Sequence, residues 1–191
     1  MSGTRDAILD VVEELIETRG YNGFSYSDIA ERIGIRKASI HYHFATKADA
    51  GAASVARYAE RIEEAIGDAL ASPSPDYWAI LDAYVQPFAA FADSGSRICL
   101  CGALGGEFGA LPEPIQARVA AFFREHEAWL AQLFAAGRDD GAFAFAGDPI
   151  VLSKTYFCAF QGALMVQRAT GDPSQLRDCM RSLTEALNSA A

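Results

Sequence analysis

The chain has 191 residues, 51% of them hydrophobic, with 16 Lys and Arg against 25 Asp and Glu for a formal net charge of −9. That size and apolar content can build a core without disulfide or metal staples, as one large domain or as a small domain joined to a larger one. The acidity excludes a surface that is basic all over, so any nucleic-acid contact must be confined to a local patch.

No 18-residue apolar run offers a membrane span. The opening MSGTRDAILDVVEE lacks the basic lead and apolar run of a signal peptide. The expected compartment is the cytoplasm, where the four cysteines Cys99, Cys101, Cys158 and Cys179 stay reduced thiols.

Helical spacing recurs along the chain, and sustained strand alternation does not. A first helix over 4–19 sets Ile8, Val11, Val12, Leu15 and Ile16 on one face, and Gly20 stops it. Ser25 and Asp28 form a capping box that opens a short helix over 27–33, ended by Gly34. A second short helix spans 37–44. Thr46 and Asp49 form another capping box, opening a long helix towards Leu70 that ASPSPD at 71–76 interrupts.

An aromatic-rich helix follows over 76–92, then a short apolar one over 99–108 that Pro112 and Pro114 halt. A long amphipathic helix over 115–136 carries His126, expected to be a partly exposed polar residue. Helices over 150–169 and 175–188 complete the chain. The prediction is an all-α protein of about nine helices, divided into residues 1–50 and residues 51–191.

The stretch DIAERIGIRKASIHYHF at 28–44 carries the most specific pattern. Ala30, Gly34 and Ile40 stand at the tight positions of a helix-turn-helix, where a small residue and a flexible turn let two helices cross closely. Ile29, Ile33, Ile35 and Ile40 supply a shared core that Phe44 closes. Lys37, Ala38, Ser39, Tyr42 and His43 then face outward. From Arg32 to Ala48 there are four basic residues and no acid. Such a helix fits a major groove. The same spacing also suits a helical hairpin with a solvated basic face.

Residues 4–50 resemble the N-terminal DNA-binding domain of TetR-family transcriptional repressors. The likeness rests on Gly20-Tyr21, Ser25, Asp28-Ile29-Ala30, Gly34 and His41-Tyr42-His43-Phe44 with Lys47. The family usually has Tyr where this chain has His41. The resemblance implies that Tyr26 and Ser27 contact phosphates, and that Arg36, Lys37, Ala38, Ser39 and Tyr42 lie near base edges. It makes His43 and Lys47 clamps on the DNA backbone, with His41 still able to donate to a phosphate, more strongly if protonated. It further implies a homodimer on a palindromic operator in double-stranded DNA, released by a small-molecule effector, with no cofactor, metal or catalytic chemistry.

Residues 51–191 exceed what a mere support for such a head requires, and a cavity between their helices would hold the effector. Trp78, Phe91, Cys99, Cys101, Phe122, Trp129, Tyr156 and Phe160 are the expected wall. The dimer seam is expected on the last two helices, at Gly162, Ala163, Met165, Val166, Leu176, Met180, Leu183 and Leu187; the same stripe could instead serve an intramolecular core.

Cys99 and Cys101, two apart on a helix, would point about 200° apart, which disfavours a mutual disulfide or one shared metal. The segment RICLCGALGGEFGALPEP is similar to the cysteine-containing segment of family members that sense electrophiles or oxidants. This keeps open a covalent thiol switch through Cys99 or Cys101, favoured if Arg97 lies close. A cysteine-nucleophile enzyme would need a nearby base. With two of three histidines in the recognition helix, only His126 is left for that role.

Overall fold

The structure, a computed structural model, describes residues 3–67 and 69–188, the side chains of 92 and 93 excepted. Among the described residues there is no strand and there are nine α-helices: α1 (Thr4–Arg19), α2 (Tyr26–Ile33), α3 (Lys37–His43), α4 (Lys47–Ile66), α5 (Tyr77–Ser94), α6 (Leu100–Gly106), α7 (Glu113–Asp139), α8 (Pro149–Thr170) and α9 (Gln175–Ala186). α4 ends short of Leu70, and the segment expected to run on to Phe108 splits into α6 and a separate 3-10 turn over Phe108–Ala110.

The helices form two compact units: Met1–Arg61 with Arg97–Phe122, and Ile62–Ser96 with Phe123–Ala191. The first thus takes in α6 and the start of α7 beside α1, α2 and α3.

In the first unit the head packs around fully buried Ile8, Leu9, Val12 and Ile16 of α1, Ile29 of α2 and Ile40 of α3. Leu9 joins the expected stripe, while Val11 sits at its edge, half-buried. Removing each such aliphatic side chain from water contributes about 1.5–3 kcal/mol. The caps form as the residue types dictate. Ser27 donates its backbone N–H to Ser25 Oγ at 3.2 Å, and Ser25 N–H donates to Asp28 Oδ2 at 2.8 Å. Thr46 N–H donates to Asp49 Oδ2 at 2.8 Å, and Asp49 N–H donates to Thr46 Oγ1 at 3.1 Å. Gly34 takes the left-handed conformation, φ 75° and ψ 31°, that lets the chain turn sharply from α2 towards α3.

The second unit has an aromatic core. Phe88 of α5 meets Phe160 of α8 edge to face at 4.4 Å, Tyr84 stacks on Trp129 at 5.1 Å, and Phe134 of α7 meets Tyr156 at 5.4 Å. α9 packs on α8, burying Leu176, Met180 and Leu187 inside the chain. Leu176 N–H, at the start of α9, donates to Gln167 Oε1 of α8 at 3.1 Å.

α8 corrects one expectation. Its 22 residues reach a mean hydropathy of 1.2 over an 18-residue window, enough by length and composition for a membrane span. One face, with Tyr156, Phe157, Phe160, Ala163 and Leu164, is buried in the unit, as in the core helix of a globular domain. Elsewhere on the helix Ile150, Val151, Met165 and Val166 are exposed.

Candidate nucleic-acid interface

α3 presents one continuous outward face. Arg36, Lys37, Ala38, Ser39, His41 and Tyr42 are exposed, and His43 is half-buried with its ring edge to face against Tyr42, the ring centres 5.2 Å apart. Tyr42 is 86% exposed, an unusual position for a large aromatic side chain unless it serves a partner. Arg36, the N-cap of α3, and Lys37 make no ion pair among the described residues. Arg32, by contrast, is neutralised by Glu14, and Arg19 by Asp28 at 3.6 Å. Ser27 is exposed at the start of α2.

Three expected phosphate contacts are placed differently. The Tyr26 hydroxyl donates to the Phe44 carbonyl at 3.0 Å, tying α2 to the end of α3. A phosphate only accepts, so a hydroxyl whose proton is committed to a carbonyl has nothing to give it. Burial, then the nearby Asp49, pushes the Tyr26 phenol up to about 12. His41 brings Nδ1 within 3.1 Å of the Ala45 carbonyl and sets its ring edge on Tyr26 at 4.8 Å. A carbonyl only accepts, so the proton of the neutral ring sits on Nδ1 and Nε2 is an acceptor; His41 donates outward only as imidazolium.

Lys47 turns inward. Its ammonium donates to the carbonyls of Tyr21 and Phe24, both at 2.5 Å, and lies 4.4 and 4.2 Å from the centres of those two rings. Burial lowers its pKa, opposed by the charges of Glu107 and Asp28. Lys47 is a staple of the α1–α2 turn rather than a free clamp.

Buried acids join the head to its support. Glu13 of α1 is 5% exposed and accepts from Arg57 Nε at 2.8 Å and Arg61 Nη2 at 2.7 Å, both on α4. Glu17, one turn on, pairs with Arg97. Sequence reasoning passed over these pairs, although two acids set four apart in the apolar stripe of α1 signal buried charges that need partners.

The residues of the expected effector wall are divided between the two units. Cys99, Cys101 and Phe122 belong to the first unit, and Trp78, Phe91, Trp129, Tyr156 and Phe160 to the second. In the second unit the Trp78 indole N–H donates to the Ala142 carbonyl at 3.1 Å, and Phe91 lies against Phe88. A groove of about 590 Å³ runs instead along α7 and α8, past Ala128, Ala131, Ala135, Pro149, Ile150 and Ser153. His126 is not exposed: it is 6% accessible, and its Nδ1 lies 2.9 Å from the Tyr84 hydroxyl. Burial pushes the imidazole down to about 4, so it is neutral at pH 7.

Cys99 and Cys101 are both fully buried, the first as the N-cap of α6 and the second inside it. The Tyr58 hydroxyl donates to Cys99 Sγ at 3.6 Å. Burial, then the neighbouring Cys99, pushes the Cys101 thiol up. Arg97 turns its guanidinium to Glu17. Cys158 is the exposed thiol. No group of three or more metal-ligating side chains occurs among the described residues.

Of the expected seam, Ala163, Leu176, Met180 and Leu187 are buried within the chain, Gly162 and Leu183 are half-buried, and Met165 and Val166 stand 48% and 44% exposed. α9 turns its apolar stripe onto its own α8, which is why those leucines are withdrawn from the surface.

This architecture recurs in known proteins. Residues 8–49 match the bacterial regulatory proteins of the tetR family, and residues 78–183 match the tetracyclin repressor-like C-terminal domain. The chain belongs to the TetR family of bacterial transcriptional regulators. It is 26% identical to the transcriptional regulator AcuR of Cereibacter sphaeroides over 181 residues, covering 90% of this chain and 78% of AcuR. It is likewise 26% identical to the HTH-type transcriptional repressor NemR of Escherichia coli over 162 residues, 84% of this chain and 81% of NemR. The crystal structure of a TetR-family regulator from Agrobacterium tumefaciens superposes with a TM-score of 0.89 at 32% identity, covering 97% of each chain.

Proposed function

We propose that this transcriptional regulator is a cytoplasmic homodimeric repressor whose α3 helices read a palindromic operator, and that a small molecule bound without covalent chemistry releases it. The carrying observation is the outward face of α3. On an acidic chain, it keeps two cations, Arg36 and Lys37, that are unpaired among the described residues, beside Ser39 and the 86% exposed Tyr42. Arg36 and Lys37 supply charge, and Ser39 and Tyr42 supply hydrogen bonds and a flat apolar contact at base edges. Ser27 and His43 flank them as contacts to the DNA backbone.

Val151, Met165 and Val166, with Gly162 between them on α8, form the face offered to a second copy. Two heads held about 34 Å apart would meet successive major grooves on one side of the duplex. Two fully buried thiols, one with its pKa raised, disfavour the alternative of a covalent switch at Cys99 or Cys101. The test is a gel shift on the DNA upstream of the chain's own gene at low salt. A shift is expected; its absence would remove the basis for the reading.

A further inference from the structure

The seam between α6 and the α1–α2 turn carries a device that DNA contacts alone do not explain. Glu107 caps the C-terminus of α6. Its Oε2 accepts two bonds from one residue, from Asn22 N–H at 3.0 Å and from the Asn22 side-chain amide at 2.6 Å. Its other oxygen lies where a side chain on Gly20 would begin: a Cβ there would stand 1.8 Å from Glu107 Oε1. Gly20 also has φ 78°, so the turn is built both to bend and to admit this carboxylate.

The turn is equally the receptor for Lys47. The carbonyls of Tyr21 and Phe24, on either side of Asn22, hold the Lys47 ammonium at the start of α4. Ser25, the N-cap of α2, follows directly. α2 in turn fixes α3 through the bond from the Tyr26 hydroxyl to Phe44 and through buried Ile29 and Ile40. Residues 20–24 are therefore held by α6 and by α4, and they set where α2 begins.

We propose that Glu107 is a positioning residue for operator recognition: it anchors the α1–α2 turn to α6 and thereby fixes the placement of α3. The proposal rests on the DNA-binding reading above.

The test compares wild type, Glu107→Ala and Glu107→Gln in binding a duplex that the wild-type chain selects from a random-sequence pool, and a scrambled duplex of equal length. Non-specific binding depends on the basic patch alone, whereas specific binding needs α3 in place. Glu107→Ala should lose about tenfold in affinity for the selected duplex, keep its affinity for the scrambled one, and melt close to wild type. Glu107→Gln, which retains an acceptor oxygen, should recover most of the loss. Equal losses on both duplexes with a lowered Tm would reduce Glu107 to a stabilising contact and overturn the proposal. So would an Ala variant that binds the selected duplex like wild type. A wild-type chain that enriches no duplex would instead overturn the DNA-binding reading itself.

Discussion

The Glu17 carboxylate, 1% exposed, receives both the Nε and the Nη2 of Arg97 on one oxygen, the Nε at 2.7 Å. The Ile98 N–H also donates to the Glu17 carbonyl at 3.3 Å, so α1 is joined to the approach of α6 by side chain and backbone together.

Even with this partner, burial outweighs the guanidinium and pushes the Glu17 carboxyl up to about 7. Folding therefore favours its protonated form. That contribution is complete below the ordinary value of 4.5 and is lost as pH rises through 7. Wild type should lose about 3 kcal/mol between pH 4.5 and 8 relative to Glu17→Gln. Urea denaturation across that range measures the difference, and parallel curves for the two proteins would contradict it.

His126 works in the opposite direction. Its pKa is pushed from 6.5 down to about 4, so its contribution is present above pH 6.5 and fades as pH falls through 4. Relative to His126→Gln, wild type should lose about 3 kcal/mol on going from pH 7 to pH 3.5. Titration of the ring by NMR checks the cause directly. A ring protonated at pH 6 would show that its site is wet rather than buried.

Lys47→Ala separates a staple from a clamp. Loss of two charge-assisted bonds and two ring contacts should destabilise the first unit by about 2 kcal/mol. The dependence of DNA affinity on salt should keep its slope, because no phosphate contact is lost. Lys37→Ala should do the reverse, with Tm unchanged and the slope reduced by about one. A reduced slope for Lys47→Ala would return that residue to the DNA backbone.

Thiol accessibility tests the noncovalent reading. A thiol-titrating disulfide reagent should reach the buried Cys99 and Cys101 only on unfolding. Fast labelling of Cys101 in the native protein, with loss of DNA binding, would favour the covalent switch.

Much of the fold was legible because helix ends are decided locally. Ser25 with Asp28, Thr46 with Asp49, and Gly34 mark boundaries that the structure keeps within a residue or so. The outward side of α3 was legible too, since Ile40 fixes which face is buried. What spacing cannot supply is the partner a polar group meets across the fold. Lys47 finds the carbonyls of Tyr21 and Phe24, Glu107 finds Asn22 at a separation of 85 residues, and His126 finds Tyr84. Each of these is a long-range pairing of a donor and an acceptor. The apolar stripe of α9 was read correctly as a stripe, but α8 of the same chain covers it.

The central claim, that α3 reads DNA, is tested most directly by fluorescence anisotropy on a duplex from upstream of the chain's own gene, at several salt concentrations. Wild type should bind at low salt with affinity falling steeply as salt rises, and Tyr42→Ala should bind about tenfold more weakly with an unchanged Tm. Absence of binding at low salt, or a Tyr42→Ala and Lys37→Ala double variant that binds like wild type, would contradict it.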